Sequence, residues 1–204
     1  MKKNPSFAVF YMFGMTAICS VLLISLARGT DQRVETNRKL EFEKAVLRVF
    51  PEIQYDSDAQ AHQIFVEHFE ESAQAGDAYI YRKDGQIAGY VVPISGKGFW
   101  ATISGIVGVK ADGKTVTGIS FYEQSETPGL GARITEPEFK RQFVDLKMQN
   151  PPRPIDFRPP GQTLAVGQVH AISGATQTCV RVEKFLNEDL SNWMQSMSKA
   201  EAKP

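Results

Sequence analysis

The chain is poor in the residues that build metal sites and disulfide frameworks. Among 204 residues there are two cysteines and three histidines. Cys19 and Cys179 have no CxxC partner, which argues against a zinc site or a disulfide scaffold. A bridge between them is implausible if Cys19 lies in a membrane. His62 and His68 stand apart from other ligand types and read as solvated surface. Neither charge is in excess: 23 Lys and Arg face 23 Asp and Glu. A nucleic-acid partner, which normally demands a basic surplus, is therefore not expected. There is no G-x-G-x-x-G segment and no nucleophile–base pair, so the chain should not oxidise a nicotinamide nucleotide by itself. The apolar content, 42%, is ordinary and allows a packed core.

Long uncharged runs are also scarce, with one exception. Phe7 to Ala27 holds no charged residue across 21 positions. At about 1.5 Å per residue this is about 31 Å of helix, enough to cross a bilayer core. The run is longer than a usual signal-peptide core and no A-x-A site follows it, which favours an uncleaved anchor. Thr16, Ser20 and Ser25 can bond to their own helix or to a neighbouring one. Lys2 and Lys3 precede the run, and Arg28, Asp31 and Arg33 follow it. That weak bias favours a cytoplasmic N-terminus, 1–6, and places residues after about 28 outside the cytoplasm. The expected division is then a transmembrane helix over 7–27, a helical connector and start of the domain over 28–77, the main domain over 78–196 and a tail over 197–204.

From Thr30 to Phe50 an imperfect apolar stripe predicts a helix that Pro51 ends. A second helix is predicted from Ser57 to Glu71, with Ile64, Phe65 and Phe69 inward. Strands are predicted at Ala78–Arg82 and Gln86–Ile94, around an Asp84-Gly85 turn. Two more are predicted at Trp100–Lys110 and Thr115–Tyr122, around Asp112-Gly113. Gly105 and Gly108 inside a strand mark bulges or close packing. Glu136–Leu146 reads as a short helix with Phe139 and Phe143 on one face. Pro151–Pro160 reads as an extended connection and Thr163–Val169 as a strand. Cys179–Met194 reads as an amphipathic helix. The sum is an α+β fold: a mostly antiparallel sheet with flanking helices, preceded by one N-terminal transmembrane helix.

Two motifs carry chemistry. Ser173-Gly174-Ala175-Thr176 precedes the last helix, so its hydroxyls lie where free N–H groups and the helix dipole favour phosphate. Gly174 and Ala175 clear space for a bulky anion. The plain alternative is that Ser173 or Thr176 caps the helix. Glu126-Thr127-Pro128-Gly129-Leu130-Gly131 directly follows a predicted strand. It sets a carboxylate and a hydroxyl at the entrance of a sharp turn and an apolar side chain at its tip. That mixture suits a flat heteroaromatic ligand with polar edges.

Together these motifs resemble the paired signatures of the FMN-binding domain family. That family includes the C subunit of the sodium-translocating NADH:quinone reductase and the G subunit of the Rnf complex. Gly96-Lys97-Gly98-Phe99-Trp100 and Gly118–Gln124 resemble segments of the former, and the likeness runs from about Ala78 to Asn192. The resemblance implies FMN joined through its phosphate to Thr176 by a flavin transferase. Thr178 is a second hydroxyl nearby. It implies a ring resting on Leu130, Phe99 and Trp100, with Glu126 and Thr127 near its polar atoms and Ser173, Gly174, Ala175, Gly129 and Gly131 shaping the site. Glu126 beside the ring would oppose an anionic reduced flavin and lower its potential. The family pattern has Asp three residues before the Ser, part of what the transferase reads; here that position is His170. The implied role is an electron relay among the membrane subunits of an Nqr- or Rnf-type complex, in a single-pass protein of the bacterial inner membrane with its domain on the periplasmic side. Metal ligands and catalytic residues are not expected. Two other readings stay open: a module holding FMN non-covalently as a sensor or as an assembly module of another respiratory system, and a structural assembly subunit that has lost its cofactor.

Overall fold

A computed structural model describes residues 5–72 and 78–201. Lys2 and Lys3, whose charges bear on orientation, lie outside the described residues, as do 73–77 of the expected connector and 202–204 of the expected tail. The chain divides into two compact units, 1–40 and 41–204. Helix α1, Pro5–Arg48, starts in the first and ends in the second. It does not break at Gly29-Thr30. A helical glycine costs only about 1 kcal/mol, and the Thr30 hydroxyl donates back to the Leu26 and Ala27 carbonyls, at 3.1 and 3.0 Å. Within α1 an 18-residue stretch has a mean hydropathy of 2.2 with none of it buried, so the helix is long and apolar enough to cross a membrane. Thr16 satisfies its hydroxyl within the helix, on the Met12 carbonyl at 2.8 Å.

The second unit is built on a five-stranded antiparallel sheet in the order β1-β2-β3-β4-β5. The strands are β1 Phe69–Ser72, β2 Ala78–Lys83, β3 Gln86–Lys97, β4 Thr102–Lys110 and β5 Val116–Glu123. One face carries the last turns of α1 and helix α2, Asp58–His68. The other carries the C-terminal helix α4, Thr176–Glu201. Side chains alternate between these faces as the strand period requires. Val91 and Ile106 pack with Val46, Val49 and Phe50 of the α1 end. Tyr90, Val92, Ile94, Ile103 and Val107 pack with Val182, Phe185, Leu186 and Trp193 of α4.

Glycines let both helices come close. Gly108 and Gly118 face each other across β4 and β5. A Cβ on Gly118 would lie 3.2 Å from the Val49 carbonyl oxygen, and one on Gly108 would lie 2.8 Å from a Val49 methyl. On the opposite face, a Cβ on Gly96 would sit 2.5 Å from the Cβ of Phe185. Bulges fall between Ser104 and Gly105 and between Gly108 and Val109, where the glycines in β4 lead one to expect them.

The half of β3 beyond β2 is an open edge, since the β2 register ends at Val91. Two devices blunt it. The Ser95 N–H donates to Asp189 Oδ2 on α4, at 2.9 Å. Position 93, whose N–H would point the same way, is proline and has none to offer. Burial pushes the Asp189 carboxyl above its ordinary pKa, against the pull of the Ser95 bond.

Beyond shifts of one to three residues at strand ends and the joining of the expected helices over 7–27 and 30–50 into α1, four elements differ from their sequence-based bounds. The second helix ends at His68, not Glu71, because Phe69–Ser72 pairs with β2 as β1. The Phe65–Phe69 spacing fits a helix, yet Phe69 also stacks on Tyr81 of β2 with ring centroids 4.9 Å apart. Glu136–Leu146 is broken into α3, Pro137–Lys140, and a 3-10 turn, Arg141–Phe143. The chain after it is drawn alongside β5 by the Val116 N–H on the Leu146 carbonyl, 2.9 Å. Within the Pro-rich stretch lies β6, Asp156–Arg158. It pairs in parallel with β7, Gln168–His170, so the strand expected from Thr163 begins only at Gln168. Helix α4 starts at Thr176 rather than Cys179 and continues through 197–201, expected as tail.

Three outcomes are expected. Gly96→Ala forces a Cβ onto the stem of Phe185 and should cost about 1–3 kcal/mol in thermal or urea unfolding. Gly29→Ala, which meets open space in a helix, should leave the second unit unchanged. The Asp112 carboxylate holds the β4–β5 hairpin through Lys114 N–H, Thr115 N–H and the Thr115 hydroxyl, at 2.8, 2.8 and 2.6 Å. Burial pushes this carboxyl up, but the three hydrogen bonds and Lys110 outweigh it and hold it below its ordinary value. A depressed acid stabilises above its unfolded pKa, about 3.9, and loses that contribution as pH falls through the folded value. The stability gap between wild type and Asp112→Ala should therefore be full at neutral pH and close as pH drops below about 4.

Candidate functional site

The start of α4 is shaped by backbone rather than by a side-chain cap. Gly174, at φ +79°, turns the chain. The Ala175 N–H then donates to the Ile172 carbonyl at 3.1 Å, and the Cys179 N–H makes the first helical bond, to the Ala175 carbonyl at 3.0 Å. Ala175 thus takes the capping position and Thr176 the first place inside the helix. Neither Ser173 nor Thr176 caps it, contrary to the plain reading of the motif. The N–H groups of Thr176, Gln177 and Thr178 have no intrahelical acceptor, and no acidic residue occupies the first turn. The Thr176 side is exposed, while Thr178 is buried.

Opposite stands the loop after β5. Gly129, at φ +74°, makes the Pro128-Gly129 turn. The Leu130 and Ala132 N–H groups both donate to the Thr127 carbonyl, at 3.1 Å each, and start a 3-10 helix over Gly131–Thr135. This aims Leu130 at the start of α4: a Cβ on Gly174 would lie 3.2 Å from its Cδ2. The third wall is the β3–β4 turn, closed by the Gly98 N–H on the Ala101 carbonyl at 2.8 Å. It presents Phe99, 45% exposed, and Trp100, 66% exposed, packed edge to face at 5.0 Å. The Trp100 indole N–H donates to the Thr127 hydroxyl at 3.1 Å and ties this turn to the loop.

One side chain joins all three walls. Glu126 is 5% exposed. Its Oε1 accepts the N–H groups of Phe99 and Trp100, at 2.8 and 3.1 Å, and its Oε2 accepts the Thr178 hydroxyl at 2.7 Å. Its own N–H donates to Gln124 Oε1 at 2.7 Å. Both oxygens are thus occupied by protein donors, so the side chain expected at the polar edge of a ligand is fastened into the wall. Gly98, Gln124 and Gln177 were not expected as site residues, although Gly98 and Gln124 lie in the two further segments, Gly96–Trp100 and Gly118–Gln124, that resemble the family.

Between the walls lies a cleft of about 230 Å³, lined by Phe99, Glu126, Thr127, Leu130, Gly131 and Gly174 to Thr178. Most residues expected at the site therefore meet there. Trp100 stands beside the cleft on its tether, Gly129 only makes the turn, and Ser173 lines a neighbouring hollow of about 350 Å³ with His170 and Arg133. Another hollow, about 490 Å³, lies by Trp193 and Met197. Neither contains Thr176. The cleft is smaller than the roughly 300–1,000 Å³ of enclosed ligand sites. A flavin-sized group seated in it stays partly exposed. The groups present fit FMN: unpaired first-turn N–H groups and a free hydroxyl for the phosphate, and exposed Phe99 and Leu130 for an apolar ring.

Comparison with known proteins agrees with this geometry. Residues 98–191 match the model of the FMN-binding domain. The C subunit of the Na(+)-translocating NADH-quinone reductase of Vibrio anguillarum is 41% identical over 76 residues, covering 37% of this chain and 30% of that protein. Its counterpart from Vibrio vulnificus strain YJ016 is 35% identical over 109 residues, covering 52% and 43%. That of Chlamydia pneumoniae is 37% identical over 123 residues, covering 52% and 38%. The chain thus aligns with less than half the length of these relatives. Among solved structures, the same protein from Parabacteroides distasonis superposes with a TM-score of 0.68 at 24% identity, over 84% of this chain and 96% of that one. NqrC of Shewanella oneidensis gives 0.60 at 17% identity, over 80% and 99%. These two show the shared fold. The cleft and the two motifs all fall within residues 98–191, the stretch that matches the FMN-binding domain.

Proposed function

We propose that this chain is a membrane-anchored flavoprotein subunit that relays electrons through FMN bound covalently by a phosphoester to Thr176. Its setting is an ion-translocating oxidoreductase complex of the kind its NADH-quinone reductase relatives are named for. The observation that carries this is the placement of Thr176: exposed, first in a helix with unpaired N–H groups, and facing a cleft too small to enclose a flavin. An anchor through the phosphate holds a cofactor that burial cannot hold, and leaves the ring accessible to another redox centre. The Rnf-type setting finds no support among the named relatives.

Each residue has a role in this reading. The first-turn N–H groups of α4 receive the phosphodiester charge, which the helix dipole favours. Gly174 and Ala175 let the phosphate approach. Leu130 and Phe99 support the ring, and Thr127 and Trp100 hold one side of the cleft. FMN, once attached, supplies the redox chemistry; the protein supplies position and electrostatics. Attachment needs a flavin transferase and an activated flavin donor that carries a phosphoanhydride: the Thr176 oxygen bonds the flavin phosphate, the donor's P–O–P bond breaks, the outer phosphate group leaves as a nucleoside monophosphate, and the hydroxyl proton goes to base. The long apolar helix α1 supports a single-pass anchor in the bacterial inner membrane, with the domain outside the cytoplasm. Electron donor and acceptor are then protein-bound centres of neighbouring membrane proteins in the complex.

The test is covalent flavin. The full chain, co-expressed with a flavin transferase, should keep yellow fluorescence in a denaturing gel. The peptide containing Thr176 should gain the mass of one FMN less one water. Thr176→Ala should lose more than nine-tenths of that fluorescence without unfolding, and Thr176→Ser should retain it. Flavin released on denaturation of the wild type would favour the non-covalent reading instead.

A further inference from the structure

Three hydroxyls lie within the six residues Ser173–Thr178, and only one can be the attachment point. Resting on the reading of covalent FMN, we propose that Glu126 is a positioning residue that decides which hydroxyl is available: it occupies that of Thr178 and leaves that of Thr176 free.

Thr176 and Thr178 are two positions apart, so they point about 200° apart around the helix. Thr178 faces inward, is 4% exposed, and donates its hydroxyl proton to Glu126 Oε2 at 2.7 Å. The Gly131 backbone closes the space beside it. A Cβ there would lie 2.5 Å from Thr178 Oγ1 and 2.8 Å from Glu126 Oε2. A tetrahedral phosphoryl group on Thr178 has nowhere to go. Glu126 is pinned on its other side too, where a Cβ on Gly98 would lie 2.6 Å from Oε1. The carboxylate therefore cannot follow the helix if it turns. It fixes the rotation of the first turn of α4, and that rotation presents Thr176 to the cleft.

A hydroxyl on a carboxylate at this distance is also how a base activates a nucleophile. That opposite assignment makes Thr178 the attachment point, and the same experiment separates the two. The full chain is co-expressed with a flavin transferase as wild type, Thr178→Val, Thr178→Ser and Glu126→Ala. Flavin per chain, its position by fragment-ion mass spectrometry, and thermal melting of flavin-free protein are measured. The wild type should carry FMN on Thr176. Thr178→Val, which keeps the side-chain shape, should melt cooperatively yet lose severalfold in flavin per chain, and Thr178→Ser should restore it. Glu126→Ala should show the same loss with some flavin appearing on Thr178. Wild-type yield on Thr176 in both Thr178→Val and Glu126→Ala overturns the proposal, as does flavin found on Thr178 in the wild type. A wild type without covalent flavin, or with flavin on neither threonine, overturns instead the reading of covalent attachment at Thr176 and the proposal with it.

Discussion

A buried carboxylate must find donors, because its charge is costly away from water. Glu126 has no Lys, Arg or His partner among the described residues. Its donors are two backbone N–H groups, one hydroxyl and the positive end of α4. Those donors come from the β3–β4 turn and the C-terminal helix, segments far apart in sequence. The bonds form only when both are seated against the loop after β5. The cleft is what remains between the three segments once this carboxylate is satisfied. Its neighbours follow from the same requirement: Gly98 and Gly131 are glycines because a Cβ at either position would strike a carboxylate oxygen.

The sheet beneath has a similar logic. Two helices press on its opposite faces at points where the strands carry no side chain: Gly108 and Gly118 under Val49, and Gly96 under Phe185. Close seating puts α4 where its first turn can reach Glu126. Further along α4, Asp189 holds Ser95 of β3, and Asn187 takes both the N–H and the carbonyl of Ile155. The helix is thus tied at several points along its length. That explains why a site built at its N-terminus can be held on loops and still keep a fixed shape.

Much of this was legible along the chain. Asp-Gly turns and alternating strands locate both hairpins, since these signals act over a few residues. The apolar run locates the helix that can span a membrane, and Ser173–Thr176 and Glu126–Gly131 locate the two sides of the cleft. Where local patterns misled, a distant contact overrode them. Phe69 left the helical period of α2 to stack on Tyr81, and the segment after Phe143 left its helix to lie beside β5.

Local propensity and spacing along the chain set the elements and the chemistry available: an apolar span, a glycine-bearing antiparallel sheet, hydroxyls at the start of a helix, and a carboxylate in a sharp turn. What each group does follows from its neighbours in the packed chain. Packing made Ala175 rather than a hydroxyl residue the cap of α4, turned Thr178 inward and Thr176 outward, and committed both oxygens of Glu126 to holding the walls together. The reason is physical. Propensity and spacing act over a turn or a strand, whereas the partner of a buried polar atom lies wherever the packed chain brings a donor, here 52 residues away from Glu126 in the case of Thr178.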